Sequence, residues 1–213
     1  MPFILEGIAT TRNPDGSVNI APMGPIVESE QIGSLERFLL RPFQDSQTCR
    51  NLLETKQGVF HLTDDVLLFA QAVTKKLNAD LLPLESAKQV DGVVIGSACQ
   101  WYEFRIVSSD TSSARAELEA EVVLKKTARD FIGFNRARHA VIETAILATR
   151  LHLLEPEYIA VELRRFQIVM GKTAGEVENE AFRLLCKFID ESRPECGIET
   201  GASKTFLPNG ESK

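Results

Sequence analysis

The character of the chain changes at Arg129. Upstream, apolar residues come in short, often alternating runs broken by Gly, Pro, Asn and Asp; downstream they recur at helical spacing. Strands followed by helices, rather than alternating with them, make an α+β chain. The clearest upstream signals are VDGVVIGSACQWYEFRIVSSD (90–110) and SSARAELEAEVVLKK (112–126), separated by a polar turn near Asp110 to Ser113. They read as two long antiparallel strands. Downstream, Val141, Ala145 and Ala148, flanked by Ile142 and Ile146, form a wide helical stripe. Pro156 opens a second helix, expected to end before Gly171, and EVENEAFRLLCKFIDES (176–192) forms a third. The expected divisions are residues 1–128, residues 129–195 and a loose polar tail, 196–213.

The stretch from Gly7 to Val27 is unusual. Ile8, Thr10 and Thr11 have strand character, Asn13-Pro14-Asp15-Gly16 is turn chemistry, and Val18 and Ile20 resume the alternation. The return strand then meets Ala21-Pro22-Met23-Gly24-Pro25. Proline lacks a donor and glycine has no side chain to pack, so the ladder is expected to end there. The result is either a corner where the strand bends or a backbone surface that a flat ligand can approach. Beyond it, 45–58 reads as a helix capped by Asp45 or Ser46 and stopped by Gly58. Val59 to Thr63 reads as a strand, the run from Thr63 as a helix capped by Thr63 or Asp64, and 81–92 as a connection.

A net charge of −6 offers no footprint for bulk nucleic acid. Cys49, Cys99, Cys186 and Cys196 have no paired spacing, which suits buried thiols in a reducing compartment. The start MPFILEGIATT has no signal-peptide pattern, and no apolar run approaches the roughly 20 residues that span a bilayer. A soluble, cytoplasmic protein is the expectation. His61, His139 and His152 share no ligand spacing, so no metal site is expected. MGKTAG (170–175) lacks the earlier glycine of a phosphate loop and reads as the end of a helix. No serine or cysteine sits in a nucleophile elbow, and no catalytic acid or base is identified.

Two constellations could hold a ligand. Arg136, His139, Glu143 and Arg150 share one helical face: either a solvated, salt-bridged surface, or one that lays Asn135, Arg136 and Glu143 against a cleft or a dimer partner. RPFQDSQTCRN (41–51) is the better anion candidate. Arg41 offers a fork of donors, and Ser46 and Thr48 stand where a helix start favours an anion, with Arg50 and Asn51 nearby. The plainer alternative has Ser46 capping the helix and Arg41 in a surface ion pair.

Four motifs in order carry a resemblance: DGSVNIAPMGPIV (15–27), RPFQDSQTCRNLLETKQGVFHLTDD (41–65), VDGVVIGSACQWYEFRIV (90–107) and AELEAEVVLKK (116–126). The series resembles the flavin reductase-like, FMN-binding split-barrel superfamily, and within it a prokaryotic group classed as a domain of unknown function. FNRARHAVIETAILATRL (134–151) and the helices after it resemble that group's C-terminal extension. The resemblance implies an antiparallel split β-barrel with a helical C-terminal subdomain, and FMN held at a homodimer interface. It implies phosphate contacts from Arg41, Ser46 and Thr48, with Asn51 beside them, and a flavin ring along Asn19, Ala21, Pro22, Met23 and Gly24. His61 stands where similar proteins often show asparagine. The implied chemistry passes a hydride from a nicotinamide donor through FMN, the cofactor supplying the reactive centre. Two alternatives stay open: a module that stores or senses flavin without turnover, and a split-barrel reductase using a deazaflavin.

Overall fold

The computed structural model describes residues 3–28, 30 and 34–196; all of the expected tail but Cys196 lies outside them. Ten strands form: β1 (Phe3–Ile4), β2 (Gly7–Arg12), β3 (Val18–Met23), β4 (Ile26–Val27), β5 (Arg37–Leu40), β6 (Gln57–Leu62), β7 (Leu84–Ser86), β8 (Val93–Ile95), β9 (Gln100–Asp110) and β10 (Glu117–Thr127). Five α-helices accompany them: α1 (Gln47–Thr55), α2 (Val66–Val73), α3 (Arg136–Thr149), α4 (Pro156–Thr173) and α5 (Glu176–Ser192). Eight strands make one antiparallel sheet, ordered β1-β4-β5-β10-β9-β6-β2-β3, which curls into a split barrel. β7 and β8 pair separately.

The long pair is β9 and β10, in register from Asp110 opposite Glu117 to Gln100 opposite Thr127, with two irregularities. Leu118 and Ala120 face inward and Glu117, Glu119 and Glu121 outward, so the alternation of this part of β10 is its burial pattern. The upstream part of the first long signal is not part of this pair. The chain turns through 96–99, and Val93–Ile95 pairs instead with Leu84–Ser86, inside the stretch expected to be a connection.

Three element ends differ from expectation. The strand after the first hairpin does not stop before Pro22; β3 pairs with β2 as far as Met23 opposite Gly7. It can do so because β3 is the sheet's last strand, where a missing N–H costs no ladder bond on the outer side. α1 ends not at Gly58 but at Lys56, which takes the left-handed cap at φ 56°. Gly58 lies in β6, where a Cβ would come within 2.8 Å of the Phe104 ring, so close packing explains that glycine. α4 runs past Gly171 to Thr173. Gly171 sits in open space, and an interior glycine costs a helix only about 1 kcal/mol relative to alanine.

Two cores result. Phe38, Leu40, Leu52, Phe60, Phe104 and Leu118 fill the barrel, with Phe38 edge-on to Phe104 at 5.2 Å. The other joins Val141 and Ala145 of α3, Ile159 and Leu163 of α4, and Leu185 and Ile189 of α5 to Val66 and Ala70 of α2. Burying each large aliphatic or aromatic side chain contributes about 1.5–3 kcal/mol. α2 therefore belongs to the barrel by sequence and to the helical core by packing. Among the described residues, no helix is long and apolar enough to cross a membrane.

Candidate functional site

Where the helical layer meets the barrel, two cavities lie side by side, sharing Ile4, Glu6 and Ile142 in their walls. The first, of about 320 Å³, is bounded by Pro22, Met23 and Gly24 at the end of β3, by Arg41 and Arg115 near the ends of β5 and β10, and by Ile142, Ile146 and Arg150 along α3. Phe69 and Val73 of α2 close its apolar side.

Three guanidinium groups gather there. Arg41 pairs with Glu117 at 3.2 Å. Arg115 lies 3.8 Å over the Phe43 ring and donates to the Arg41 carbonyl at 3.0 Å. Among the described residues, neither Arg115 nor Arg150 has a carboxylate within ion-pair distance. Arg115 is held below the usual arginine range by burial first, then by repulsion from Arg150 and Arg41. Glu6 opposes them. Burial raises its carboxyl above the usual range, Glu143 raises it further and Arg150 lowers it. The Glu6 carboxylate lies over Gly24, its oxygens 3.5 and 3.6 Å from where a Cβ would stand. That Cβ would also fall 2.8 Å from Ile4 Cγ2, so glycine here keeps the space beside Pro22 and Met23 open.

The expected site residues separate into groups. Pro22, Met23, Gly24 and Arg41 come together in the first cavity. Asn19, Thr48 and Asn51 join a polar network and line neither cavity. Asn19 Nδ2 donates to Thr48 Oγ1 at 3.0 Å and Thr11 Oγ1 at 3.1 Å, and Asn51 Nδ2 donates to Thr11 Oγ1 at 3.0 Å and Asn13 Oδ1 at 2.8 Å. Gln47 donates to Asn51 Oδ1 at 2.7 Å. Ser46 caps α1, accepting from the Cys49 N–H at 3.2 Å and donating to the Phe43 carbonyl at 2.7 Å. Ala21 pairs with Ala9 in the β2–β3 ladder and lines neither cavity.

His61 is fully buried. Its Nδ1 lies 3.1 Å from the Ile8 carbonyl and its Nε2 3.0 Å from the Ile95 N–H, so Nδ1 donates and Nε2 accepts. Burial depresses its pKa to about 4. It is a neutral strut between β2, β6 and β8.

The second cavity, of about 590 Å³, opens between the start of α3 and the barrel. Leu62, Val66, Phe131 and Phe134 supply much of its apolar wall, and Asn135, His139 and Glu143 line it from α3 and its cap. Asn135 and Glu143 thus face a cleft as the helical-face reading had it, Arg136 does not, and Arg150 faces the first cavity. Asp64, expected as a helix cap, does other work; Asp65 caps α2, accepting from the Leu68 N–H at 3.0 Å. Asp64 accepts from both terminal nitrogens of Arg129 and sits 3.6 Å from Arg138 Nη1. The Arg129 hydrogen bond leads in holding its pKa down to about 2. Arg138 Nε donates to Glu178 at 2.9 Å, tying α3 to α5.

A family model described as the N-terminal domain of a protein of unknown function (DUF447) matches residues 5–129. A second, described as a protein of unknown function (DUF447), matches 135–187. The chain belongs to the DUF447 family. An FMN-bound DUF447 protein from Methanosarcina mazei superposes on this one with a TM-score of 0.74 at 22% identity, covering 87% of this chain and 94% of that one. The two share a fold. An FMN-binding protein from Thermus thermophilus is more distant (TM-score 0.48, 14% identity, 60% of this chain and 73% of that one). So is component B of nitrilotriacetate monooxygenase from Bacillus cereus (0.47, 17%, 60% and 71%). No curated protein matches the sequence of this DUF447 chain.

Sequence reasoning missed Glu6, Asp64 and Arg115 as members of these sites. Arg115 lies at residue 115, far from Arg41 in sequence, and only the β5–β10 pairing brings them together.

Proposed function

We propose that the first cavity seats FMN and that this DUF447 protein is a flavin reductase-like oxidoreductase. The observation that carries the reading is the trio Arg41, Arg115 and Arg150, three cations at one cavity with the single close carboxylate partner Glu117 among the described residues. A phosphate dianion relieves their mutual repulsion through charge-assisted hydrogen bonds. The space that Gly24 keeps open, bounded by Pro22, Met23, Phe69, Val73, Ile142 and Ile146, suits a flat, largely apolar ring. FMN, when bound, supplies the hydride transfer between a nicotinamide donor and an acceptor.

The chain's own residues position and tune. The arginines hold the phosphate, and the backbone at Pro22 to Gly24 meets the ring edge. Glu6 keeps a proton to higher pH than an ordinary carboxyl, close to that edge. Asn19, Thr48 and Asn51 brace α1, with Ser46 fixing its first turn. Ala21 and His61 hold β3 and β6 in register. A second copy of the chain completes the site as a homodimer, which light scattering on the FMN-loaded protein tests. Four free, buried cysteines support a cytoplasmic setting. The barrel and the helical part are proposed to correspond to residues 1–128 and 129–195.

A module that holds flavin without turning it over is the second reading; the absence of histidine and cysteine from the described residues lining the first cavity favours it. Titration with FMN and with a deazaflavin, followed by fluorescence, tests the site and the choice of ring; a colourless protein with no response to FMN overturns the proposal. Nicotinamide oxidation in air with FMN present then separates the two readings, a rate equal to the protein-free control leaving only the holding module.

A further inference from the structure

The two adjoining cavities carry opposite charge. Arg41, Arg115 and Arg150 dominate the first. The charged groups facing the second are Glu6, Asp64, Asp130 and Glu143 on one side of the balance and Arg129 and Arg138 on the other, with His139 at its rim. Arg129 pairs with Asp64, and Arg138 pairs with Glu178 through Nε while its buried Nη1, 3.6 Å from Asp64, has no hydrogen-bond partner among the described residues. That leaves Glu6, Glu143 and Asp130 without an ion-pair partner among the described residues. Glu6 and Glu143 line the same cavity; burial first, and then repulsion from Glu143, raises the Glu6 carboxyl.

Much of the rest of the wall is apolar and aromatic, interrupted by Thr63, Cys99 and Thr127. Gln100, whose amide bonds Thr127 and Tyr102, and Asn135, whose amide bonds the Thr173 carbonyl and the Arg138 N–H, are both taken up within the protein. Phe131 meets Phe134 edge-on at 6.5 Å, and Phe134 meets His139 edge-on at 5.8 Å. Phe134 is 92% exposed and Ile132 74% exposed, a contiguous apolar lip beside a cavity large enough for a small molecule, within the roughly 300–1,000 Å³ of such sites.

We propose that the second cavity is a separate binding site for a small organic cation with an apolar or aromatic body, its charged nitrogen held at Glu6 and Glu143 and its body resting between Leu62 and Val66 on one side and the exposed lip of Phe131 and Phe134 on the other. Aromatic faces attract such cations, and the two exposed carboxylates add a solvent-screened attraction. The same charges turn anions away, so this site and the arginine-lined one select different molecules through a shared wall. The proposal does not depend on what the first cavity binds.

The test is calorimetric titration of the full-length protein with benzyltrimethylammonium, with its uncharged tert-butyl analogue neopentylbenzene, and with benzenesulfonate, each with and without FMN. The expected result is binding of the cation at least about fivefold tighter than the neutral analogue, no binding of the sulfonate, and a loss of about fivefold or more in Glu143→Gln and in Phe134→Ala. Both substitutions are on the surface, and neither residue lines the first cavity, so FMN affinity in these variants is expected to stay as it was. Equal binding of the neutral analogue, preference for the sulfonate, no binding of the cation, or cation binding unchanged in Glu143→Gln overturns the proposal.

Discussion

Arg115 and Arg41 differ in what holds them, and that difference makes a prediction. Arg41 has Glu117 as a partner in the protein, whereas Arg115 rests on Phe43 and faces two like charges. Arg41→Ala and Arg115→Ala are each expected to weaken FMN binding by about 1.5–3 kcal/mol, read by fluorescence titration. If Thr48→Val weakens FMN and Arg115→Ala does not, the phosphate sits at the start of α1 instead. His61 yields a second prediction, on stability. Its folded pKa of about 4 lies below the ordinary 6.5, so the unfolded chain binds more protons between those values. The contribution is complete above pH 6.5 and is lost as pH falls toward 4, amounting to about 3 kcal/mol. Urea unfolding midpoints should drop across that window, and a variant with His61→Gln should show a flatter profile there.

Elements meet most tightly where glycines replace side chains. A Cβ on Gly7 would lie 2.4 Å from the His61 carbonyl and 2.5 Å from the Phe60 ring, and neither neighbour can move without disturbing the β2–β6 pairing. Gly7→Ala is expected to lower stability by about 3 kcal/mol, seen as a shifted denaturant midpoint. Such a requirement is invisible in sequence, where Gly7 is one glycine before an ordinary strand. The β9–β10 pair and the stripe of α3 were legible because their periodicity is local. The small β7–β8 sheet was not, since three-residue strands carry too little alternation to stand out. In the site, only the resemblance joined Pro22, Met23 and Gly24, as ring contacts, to Arg41, as a phosphate contact with Ser46 and Thr48; Arg115 and Glu6 stood outside it, because strand order rather than spacing brings them to the same cavity.

At the scale of the molecule, the helices are fastened to the barrel in two ways. Val66 and Ala70 of α2 lie in the helical core, and Asp64 links the loop before α2 to Arg129 and Arg138. A fragment ending at residue 128 would leave the α2 face bare, and it is expected to aggregate or unfold at a lower temperature than the full chain, as calorimetry would show. Asp64→Asn should destabilise the whole by about 2 kcal/mol. Its depressed pKa means this contribution is present above about pH 3.8 and fades toward pH 2, below the window of His61. The proline in β3 has a reach beyond its own strand. A sheet grows between molecules by offering unbroken rows of donors and acceptors at its rims. Here one rim carries Pro22, with no N–H to give, and the other ends in the two-residue β1. Strand-to-strand stacking into filaments is thereby discouraged, and copies of this chain that associate are steered to meet through their faces.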